Sequence, residues 1–126
     1  MFLYAMDTGK TKWQELYQYY IESEERIKIN PEIAYVDFAH ILYYTGNYDK
    51  SIIYLEKAYE LNPKWDYACN IGICYGYLMD YAKSIEYLNP SLELDPPFQN
   101  RGHILSSRQL IESSFSSWLL SLVKND

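Results

Sequence analysis

The chain has 126 residues and a mass of 15.0 kDa, which fits a single domain with its own hydrophobic core. Hydrophobic residues make up 48% and charged residues 22%, a composition typical of a folded protein and not of a disordered segment. The net charge of −6 disfavours nucleic acid as a partner, because the phosphate backbone would be repelled. An apolar or basic protein surface would suit this charge better.

The first 30 residues predict one helix and no targeting or nucleotide site. Met1–Met6 is apolar but has no basic leader, so we expect neither a signal peptide nor a membrane span, and a cytoplasmic protein. Thr8–Thr11 is similar to the end of a phosphate-binding loop, but Tyr4 stands where such a loop requires its first glycine. An apolar stripe then predicts a helix, and its residues are Trp13, Leu16, Tyr17, Tyr20 and Ile27.

Residues 31–63 predict a pair of antiparallel helices. The apolar positions follow three-and-four spacing, first at Tyr35, Phe38, Ala39 and Leu42, then at Tyr48, Ile52, Leu55, Ala58 and Tyr59. Gly46 and Asn47 between the two stripes favour a helix end followed by a short turn. Pro63 cannot continue a helix and restricts the residue before it, so we expect the second helix to end near Leu61.

The hairpin is repeated further along the chain. Shifting the sequence by 33 residues aligns Gly46–Pro63 with Met79–Pro96, and nine of the 18 aligned pairs are identical. The sequence therefore predicts a second hairpin over residues 64–97. Pro90 falls inside the second helix of this copy, where it removes one backbone hydrogen bond, so we expect a bend near Leu88 to Pro90.

The two-helix unit of about 34 residues resembles the tetratricopeptide repeat. The residues that carry the resemblance are Tyr35, Phe38, Ala39, Leu42, Gly46, Tyr48, Ser51, Leu55, Ala58 and Pro63, then Ala68, Ile71, Gly72, Tyr75, Tyr81, Ser84, Leu88, Ser91 and Pro96. The small residues among them allow close contact between the two helices of a unit. The resemblance implies an all-α fold of antiparallel helix hairpins, stacked as a short right-handed superhelical array.

In this array the whole chain, residues 1–126, is one domain of four segments. Residues 1–30 form a degenerate repeat or N-terminal helix, 31–63 and 64–97 form repeats, and 98–126 form a C-terminal capping helix. The apolar stripe of the capping helix consists of Ile104, Ile111, Phe115, Trp118 and Leu122.

The residues that could carry chemistry do not form a recognisable catalytic or metal site. His40 and His103 are the only histidines, and no pair of acidic residues stands out from solvated helix faces. Cys69 and Cys74 lie five residues apart on a predicted helix, on different sides of its axis and without Cys-x-x-Cys spacing. We therefore expect no enzyme, no metal and no cofactor, and two buried thiols in a reducing compartment.

Stacked hairpins leave a concave face, which is lined by the first helix of each unit. The predicted lining of the first unit is Ile33, Val36, Asp37, His40, Tyr43 and Tyr44, and that of the second unit is Asp66, Cys69, Asn70, Ile73 and Tyr77. We expect a peptide or protein segment to bind all of the first set and Asn70, Ile73 and Tyr77 of the second. Asn70 matches the asparagine that contacts the ligand backbone in peptide-binding members of the family, and Asp37 is its counterpart in the first unit.

The acidic residues of this face predict the chemistry of the ligand. Val36 and Cys69 stand where carboxylate-binding members carry lysines, and Asp37 and Asp66 would repel a terminal carboxylate. An extended segment that is apolar or basic fits better. The sequence thus favours a non-enzymatic protein-binding scaffold. Two alternatives stay open: a small acidic export chaperone resembling those of type III secretion, and a structural subunit of a larger assembly, with homo-oligomers as one form.

Overall fold

The computed structural model describes residues 24–124 together with Gln14, Glu15 and Gln18, and this part of the chain contains helices and turns but no strand. The helices with defined bounds are α1 (Glu24–Ile29), α2 (Pro31–Tyr44), α3 (Tyr48–Leu61), α4 (Trp65–Tyr77), α5 (Tyr81–Glu93) and α6 (Phe98–Lys124). They confirm the all-α fold of helix hairpins followed by a C-terminal helix. The division into one domain of four segments stays a prediction.

Several predicted features of the N-terminal region lie outside the described residues. They are the apolar segment Met1–Met6, the segment Thr8–Thr11 and the stripe residues Trp13, Leu16, Tyr17 and Tyr20. By its contacts the chain divides between Asn62 and Pro63 into two compact units. The first unit contains α1, α2 and α3, and the second contains α4, α5 and α6.

The ends of the helices in the first unit follow from local side-chain chemistry. The Asn30 side-chain oxygen accepts a hydrogen bond from the Ile33 backbone N–H at 3.2 Å, and Pro31 occupies the first turn of α2, where no N–H is needed. Gly46 adopts a φ of 83°, which the turn after α2 requires. Asn62 is extended before Pro63, so α3 ends at Leu61 as predicted.

The predicted inward-facing residues form the core of the first hairpin. Those that are buried are Phe38, Ala39 and Leu42 of α2 and Ile52, Leu55 and Ala58 of α3. The Phe38 and Tyr54 rings meet edge to face, with their centroids 5.2 Å apart. The Ser51 hydroxyl donates a hydrogen bond to the Ala39 carbonyl at 2.7 Å, which satisfies a buried polar group where the two helices cross.

The second hairpin repeats this arrangement. The Ser84 hydroxyl donates to the Gly72 carbonyl at 2.6 Å, and both residues lie 33 positions after their counterparts in the first hairpin. The Asp80 side chain caps α5 by accepting from the Lys83 N–H at 3.3 Å. The α5 helix continues through Pro90 to Glu93, and the bend predicted at this proline stays a prediction.

Only the first part of the apolar stripe predicted for α6 is buried. Helix α6 starts 33 residues after α4, which is the position of the first helix of a third hairpin. The turn of such a hairpin would fall near Glu112, but the sequence there has no glycine or proline to end the helix. Ile104 is fully buried, and the Phe115 ring lies 6.2 Å from that of Tyr81. The predicted capping stripe ends there, because the next stripe residue, Trp118, is 49% exposed.

Candidate functional site

The predicted binding residues of α2 differ in their access to solvent. Ile33 is 57% exposed and Tyr44 is 37% exposed, which suits contact with a partner. Three others are half-buried, namely Val36, His40 and Tyr43. Asp37 is less accessible than its place on the open stripe suggests, since it is only 7% exposed, and its role as a ligand contact stays a prediction.

The open stripe of α2 forms one wall of a pocket, and Asp37 is among the residues that line it. The pocket has a volume of about 140 Å³ and lies between α1 and the first half of α2. The residues that line it are Arg26, Ile29, Asn30, Ile33, Ala34 and Asp37. Helix α1 and the first half of α2 thus form a concave site within the first unit.

The lining of this pocket combines apolar walls with polar groups of both signs. Ile29 is 80% exposed, so with Ile33 it offers apolar surface to a partner. Arg26 contributes a cation and Asp37 contributes a carboxylate. A small pocket with apolar walls and a few polar groups is suited to one apolar side chain of a bound segment, together with hydrogen bonds to its backbone.

Sequence reasoning missed Arg26 and Ile29. Both lie in the N-terminal segment, where the repeat pattern is weak and the position of a helix relative to α2 cannot be inferred from spacing. One signal was available, because Ile29-Asn30-Pro31 resembles Leu61-Asn62-Pro63 and marks the end of a helix before α2. A helix that ends there precedes α2 directly, as α3 precedes α4.

Aromatic rings extend this surface toward the end of α2. The Tyr43 ring meets the rings of Tyr44 and Tyr48 edge to face, at centroid distances of 5.3 and 5.4 Å. These contacts fix the Tyr43 ring and leave the neighbouring Tyr44 partly accessible. An accessible tyrosine that is held in place offers a large contact area and a hydroxyl at a small cost in entropy.

In the second unit α6 removes part of the predicted surface. Cys69 is 9% exposed and forms a core cluster with Leu88 and Ile104, and Ile73 packs against this cluster. Ile73 is therefore half-buried and contributes to packing, and its role as a ligand contact stays a prediction. The physical reason is that α6 occupies the place of a following first helix and covers the side of α4 that faces it. Asn70 stays half-buried and Tyr77 is 56% exposed.

The electrostatics of Cys69 are those of a structural thiol. Burial, and second the nearby carboxylate of Asp66, raise the pKa of the Cys69 thiol to about 11. It is therefore protonated at neutral pH and is a poor nucleophile or metal ligand. Cys69 and Cys74 are both buried and not bridged to each other.

The described part of the chain has neither a metal-binding cluster nor a membrane-spanning helix. Residues 24–124 with Gln14, Glu15 and Gln18 contain no cluster of three or more histidine, cysteine or acidic side chains that could hold a metal ion. Over the same residues, no helix combines the length and apolar character that crossing a membrane requires.

Comparison with known proteins agrees with the geometry of the two hairpins. A family model described as Tetratricopeptide repeat matches residues 33–64 and again residues 66–98, together just over half of the chain. The first match covers most of α2 and all of α3, and the second covers most of α4 and all of α5. A search of curated protein sequences finds no match to the chain.

Proposed function

Because the chain belongs to the tetratricopeptide repeat family, we propose that it is a non-enzymatic scaffold that binds a peptide or protein segment along the first helices of its hairpins. Repeats of this family generally mediate protein–protein interaction. The observation that carries the proposal for this chain is the pocket between α1 and α2, whose apolar walls include the exposed side chains of Ile29 and Ile33.

The carboxylate of Asp37 on α2 favours an apolar or basic group of the ligand on that side of the pocket, whereas Arg26 contributes a cation from α1. A carboxylate brought within 4 Å of Asp37 would be repelled by about 1 kcal/mol in water and by about 4 kcal/mol in a partly desolvated site. The whole chain carries a net charge of −6, which repels acidic segments further. We propose an extended segment that inserts one apolar side chain between Ile29 and Ile33 and carries a lysine or arginine beside it.

The proposed contact surface keeps most of the residues that the sequence suggests. In the first unit it comprises the pocket residues of α1 and α2, the partly exposed edges of Val36, His40 and Tyr43, and the more accessible Tyr44. In the second unit the proposed contacts are Asn70 and Tyr77. Ile73 is left out because it packs beneath α6. The concave face expected from stacked hairpins is part of this proposal, as is the hydrogen bond from Asn70 to a ligand backbone.

The pocket is tested with Ile33→Glu, and Ile53→Glu is its matched control. Ile33 lies at the pocket and Ile53 lies on α3, and the two side chains are 57% and 52% exposed. The probe is an immobilised library of random peptides, from which binders to the wild-type chain are selected. We expect Ile33→Glu to weaken binding of the selected peptides by about tenfold or more, equivalent to ~1.4 kcal/mol.

The control should retain wild-type affinity, and both variants should keep the wild-type melting temperature because the two positions are exposed. Equal affinity of all three proteins, or equal loss in both variants, would contradict the pocket assignment.

Asp37→Asn tests the ligand charge. Peptides selected with this variant should no longer prefer lysine and arginine over neutral residues.

The cellular setting of this function is also a proposal. We place the protein in the cytoplasm, and the unbridged thiols of Cys69 and Cys74 support this, since a reducing compartment preserves them. The export-chaperone alternative rests on length and acidity alone. The alternative of a subunit in a larger assembly rests on the exposed apolar residues near the C-terminal end of α6, among them Trp118.

A further inference from the structure

The pocket between α1 and α2 is apolar at one end and charged at the other. The two helices join at Asn30, which lines the pocket. Near this joint each wall carries an isoleucine, Ile29 on α1 and Ile33 on α2. Further out each wall carries a charged residue, Arg26 on α1 and Asp37 on α2. Each charged residue lies about one helical turn beyond the isoleucine of its own wall, on the same helix face.

Core packing holds the two walls of the pocket together. Ile27 of α1 packs against the core cluster that Ala34, Phe38 and Ile41 of α2 form. This contact keeps α1 against the side of α2, so the helix that carries Arg26 is anchored independently of any ligand. The pocket is therefore a preformed feature of the first unit.

The pocket has room for one side chain of the ligand. Its volume is about 140 Å³, and an apolar cavity of ~150 Å³ holds one molecule of benzene. A single leucine, isoleucine or phenylalanine side chain therefore fills it, and the stem of a lysine does not fit beside that side chain. A cation that reaches Asp37 within the pocket must then belong to the inserted residue itself.

The first residue of a peptide carries an apolar side chain and a cation on one carbon atom. Its Cα bears the side chain, the α-ammonium group and the carbonyl group of the first peptide bond. When the side chain lies between Ile29 and Ile33, the other two groups lie at the charged end of the pocket. The Asp37 carboxylate is complementary to the ammonium group, and the Arg26 guanidinium is complementary to the carbonyl oxygen.

A lysine side chain in an internal segment matches the pocket less well. Neighbouring residues of an extended segment point to opposite faces, so the residue next to the inserted one directs its side chain away from the pocket. A lysine two residues along points to the pocket side, but fixing its long stem costs rotamer entropy. The α-ammonium group is already positioned when the side chain inserts, so it incurs no such cost.

The burial of Asp37 strengthens the selection for a cation. The residue is only 7% exposed, and charges interact more strongly where water is excluded. Asp37 and Arg26 also interact with other groups of the chain. A carboxylate has several acceptor positions and a guanidinium has several N–H donors, so each can bind a group of the ligand as well.

We propose that the pocket binds the amino-terminal residue of the partner, with its apolar side chain between the two isoleucines, its ammonium group beside Asp37 and its carbonyl oxygen beside Arg26. This inference rests on the proposed function and narrows it. The cation of the bound segment becomes its free amino group instead of a lysine or arginine side chain. The partner thus has an accessible, unacetylated chain start with an apolar first residue.

The test compares peptides with free and with acetylated amino termini. The probe is a random peptide library attached through its carboxyl end, from which binders to the full wild-type chain are selected and resynthesised in both forms. We expect the selected peptides to begin with leucine, isoleucine or phenylalanine. Acetylation should weaken their binding by about tenfold or more, because it removes a charged hydrogen-bond donor. Acetylation of a lysine side chain elsewhere in the same peptide is the control and should change the affinity by less than about threefold.

Two variants assign the groups of the protein. Asp37→Asn should remove the effect of acetylation, so that both peptide forms bind alike. Arg26→Gln should weaken both forms by a similar factor of about three or more, because both keep the carbonyl oxygen. Lys28→Gln is the matched control and should bind like the wild type, since Lys28 is an exposed cation of α1 that does not line the pocket. The comparison of peptide forms on the wild type needs no substitution, so it decides the proposal even if Asp37→Asn lowers the stability.

Equal affinity of free and acetylated peptides for the wild type would overturn the inference. The proposed function would still stand if Ile33→Glu weakened the binding of the same peptides and Ile53→Glu did not. Failure of these two variants to differ would instead contradict the proposed function itself. Free leucine is added as a competitor, and we expect no displacement when its concentration equals that of the peptide. Displacement under this condition would also overturn the inference, because the pocket would then be a site for a free amino acid.

Discussion

The two hairpins share one backbone design and differ in where they use small residues. At the turns, the Asn47 N–H donates to the Leu42 carbonyl at 2.8 Å, and the Asp80 N–H donates to the Tyr75 carbonyl at 2.9 Å. The serine hydroxyl between the helices is also retained, at 2.7 and 2.6 Å. Repetition of the sequence has therefore preserved the hydrogen bonds more strictly than the side chains around them.

The helix crossings differ in how closely the helices approach. The first hairpin accommodates the methyl group of Ala39, whereas a Cβ added to Gly72 at the equivalent position would lie 2.8 Å from Leu88 Cγ and 3.0 Å from the Ser84 carbonyl oxygen. A Cβ on Gly76 would lie 2.8 Å from Ile111 Cδ1 of α6. Helix α4 thus meets α5 and α6 through glycines, and the second unit depends on close contact where the first does not.

The largest expected effect is that of Gly72→Ala, which adds a methyl group where α4 and α5 approach closely. The added methyl group must displace Leu88 or the backbone of α5, and overpacking of this kind costs ~1–3 kcal/mol, of which the better helix propensity of alanine recovers up to ~1 kcal/mol. With the full recovery, we expect a net loss of up to about 2 kcal/mol in the free energy of unfolding, measured by urea denaturation.

Gly102→Ala is the control for helix propensity, because nothing lies within 4 Å of a Cβ at this position of α6. It should stabilise the protein by up to ~1 kcal/mol. If Gly72→Ala stabilised the protein as Gly102→Ala does, α4 and α5 could move apart without cost. The second hairpin would then not depend on close helix contact, and the contrast with the first hairpin would be wrong.

The sequence predicts the repeated parts of the molecule well, because spacing identifies which face of a helix is buried. The close contacts at Ser51, Ser84 and Gly72 follow from this, although the serine hydroxyl bonds do not. The burial of Asp37 and the packing of Ile73 could not be predicted, for a different reason. Their environment depends on α1 and α6, which lie outside the two well-defined repeats, and the periodicity of one helix does not tell which neighbouring helix covers its far side.

A moderate effect is expected at the shared hydrogen bond. Ser51→Ala and Ser84→Ala each remove a buried hydroxyl that bonds a carbonyl of the facing helix, and such a bond contributes about 1 kcal/mol. We expect the two losses in the free energy of unfolding to agree within about 0.5 kcal/mol, since the donor–acceptor distances are 2.7 and 2.6 Å.

Ser116→Ala, at an exposed position of α6, controls for the change of residue type and should have little effect. A loss at Ser84 much greater than that at Ser51 would sharpen the comparison, because it would mean that the closer crossing strengthens the bond. If neither substitution lowers the free energy of unfolding, the serine hydrogen bond does not stabilise the pairing of the two helices.

The smallest expected effect concerns the turns, where the second hairpin lacks the glycine of the first. Met79, at the position equivalent to Gly46, adopts a φ of 63°. This left-handed conformation costs a residue with a side chain ~1–2 kcal/mol. Glycine would avoid that cost, but its greater freedom stabilises the unfolded state by ~0.4–1 kcal/mol. Met79→Gly should therefore stabilise the protein by about 0.5 kcal/mol, as judged by urea denaturation. The neighbouring Leu78 has a φ of −83°, so Leu78→Gly relieves no strain and should destabilise the protein. Stabilisation by Met79→Gly together with destabilisation by Leu78→Gly would show that the backbone conformation of the turn distinguishes the two hairpins. Destabilisation by both substitutions would mean that Met79 adopts its conformation without strain.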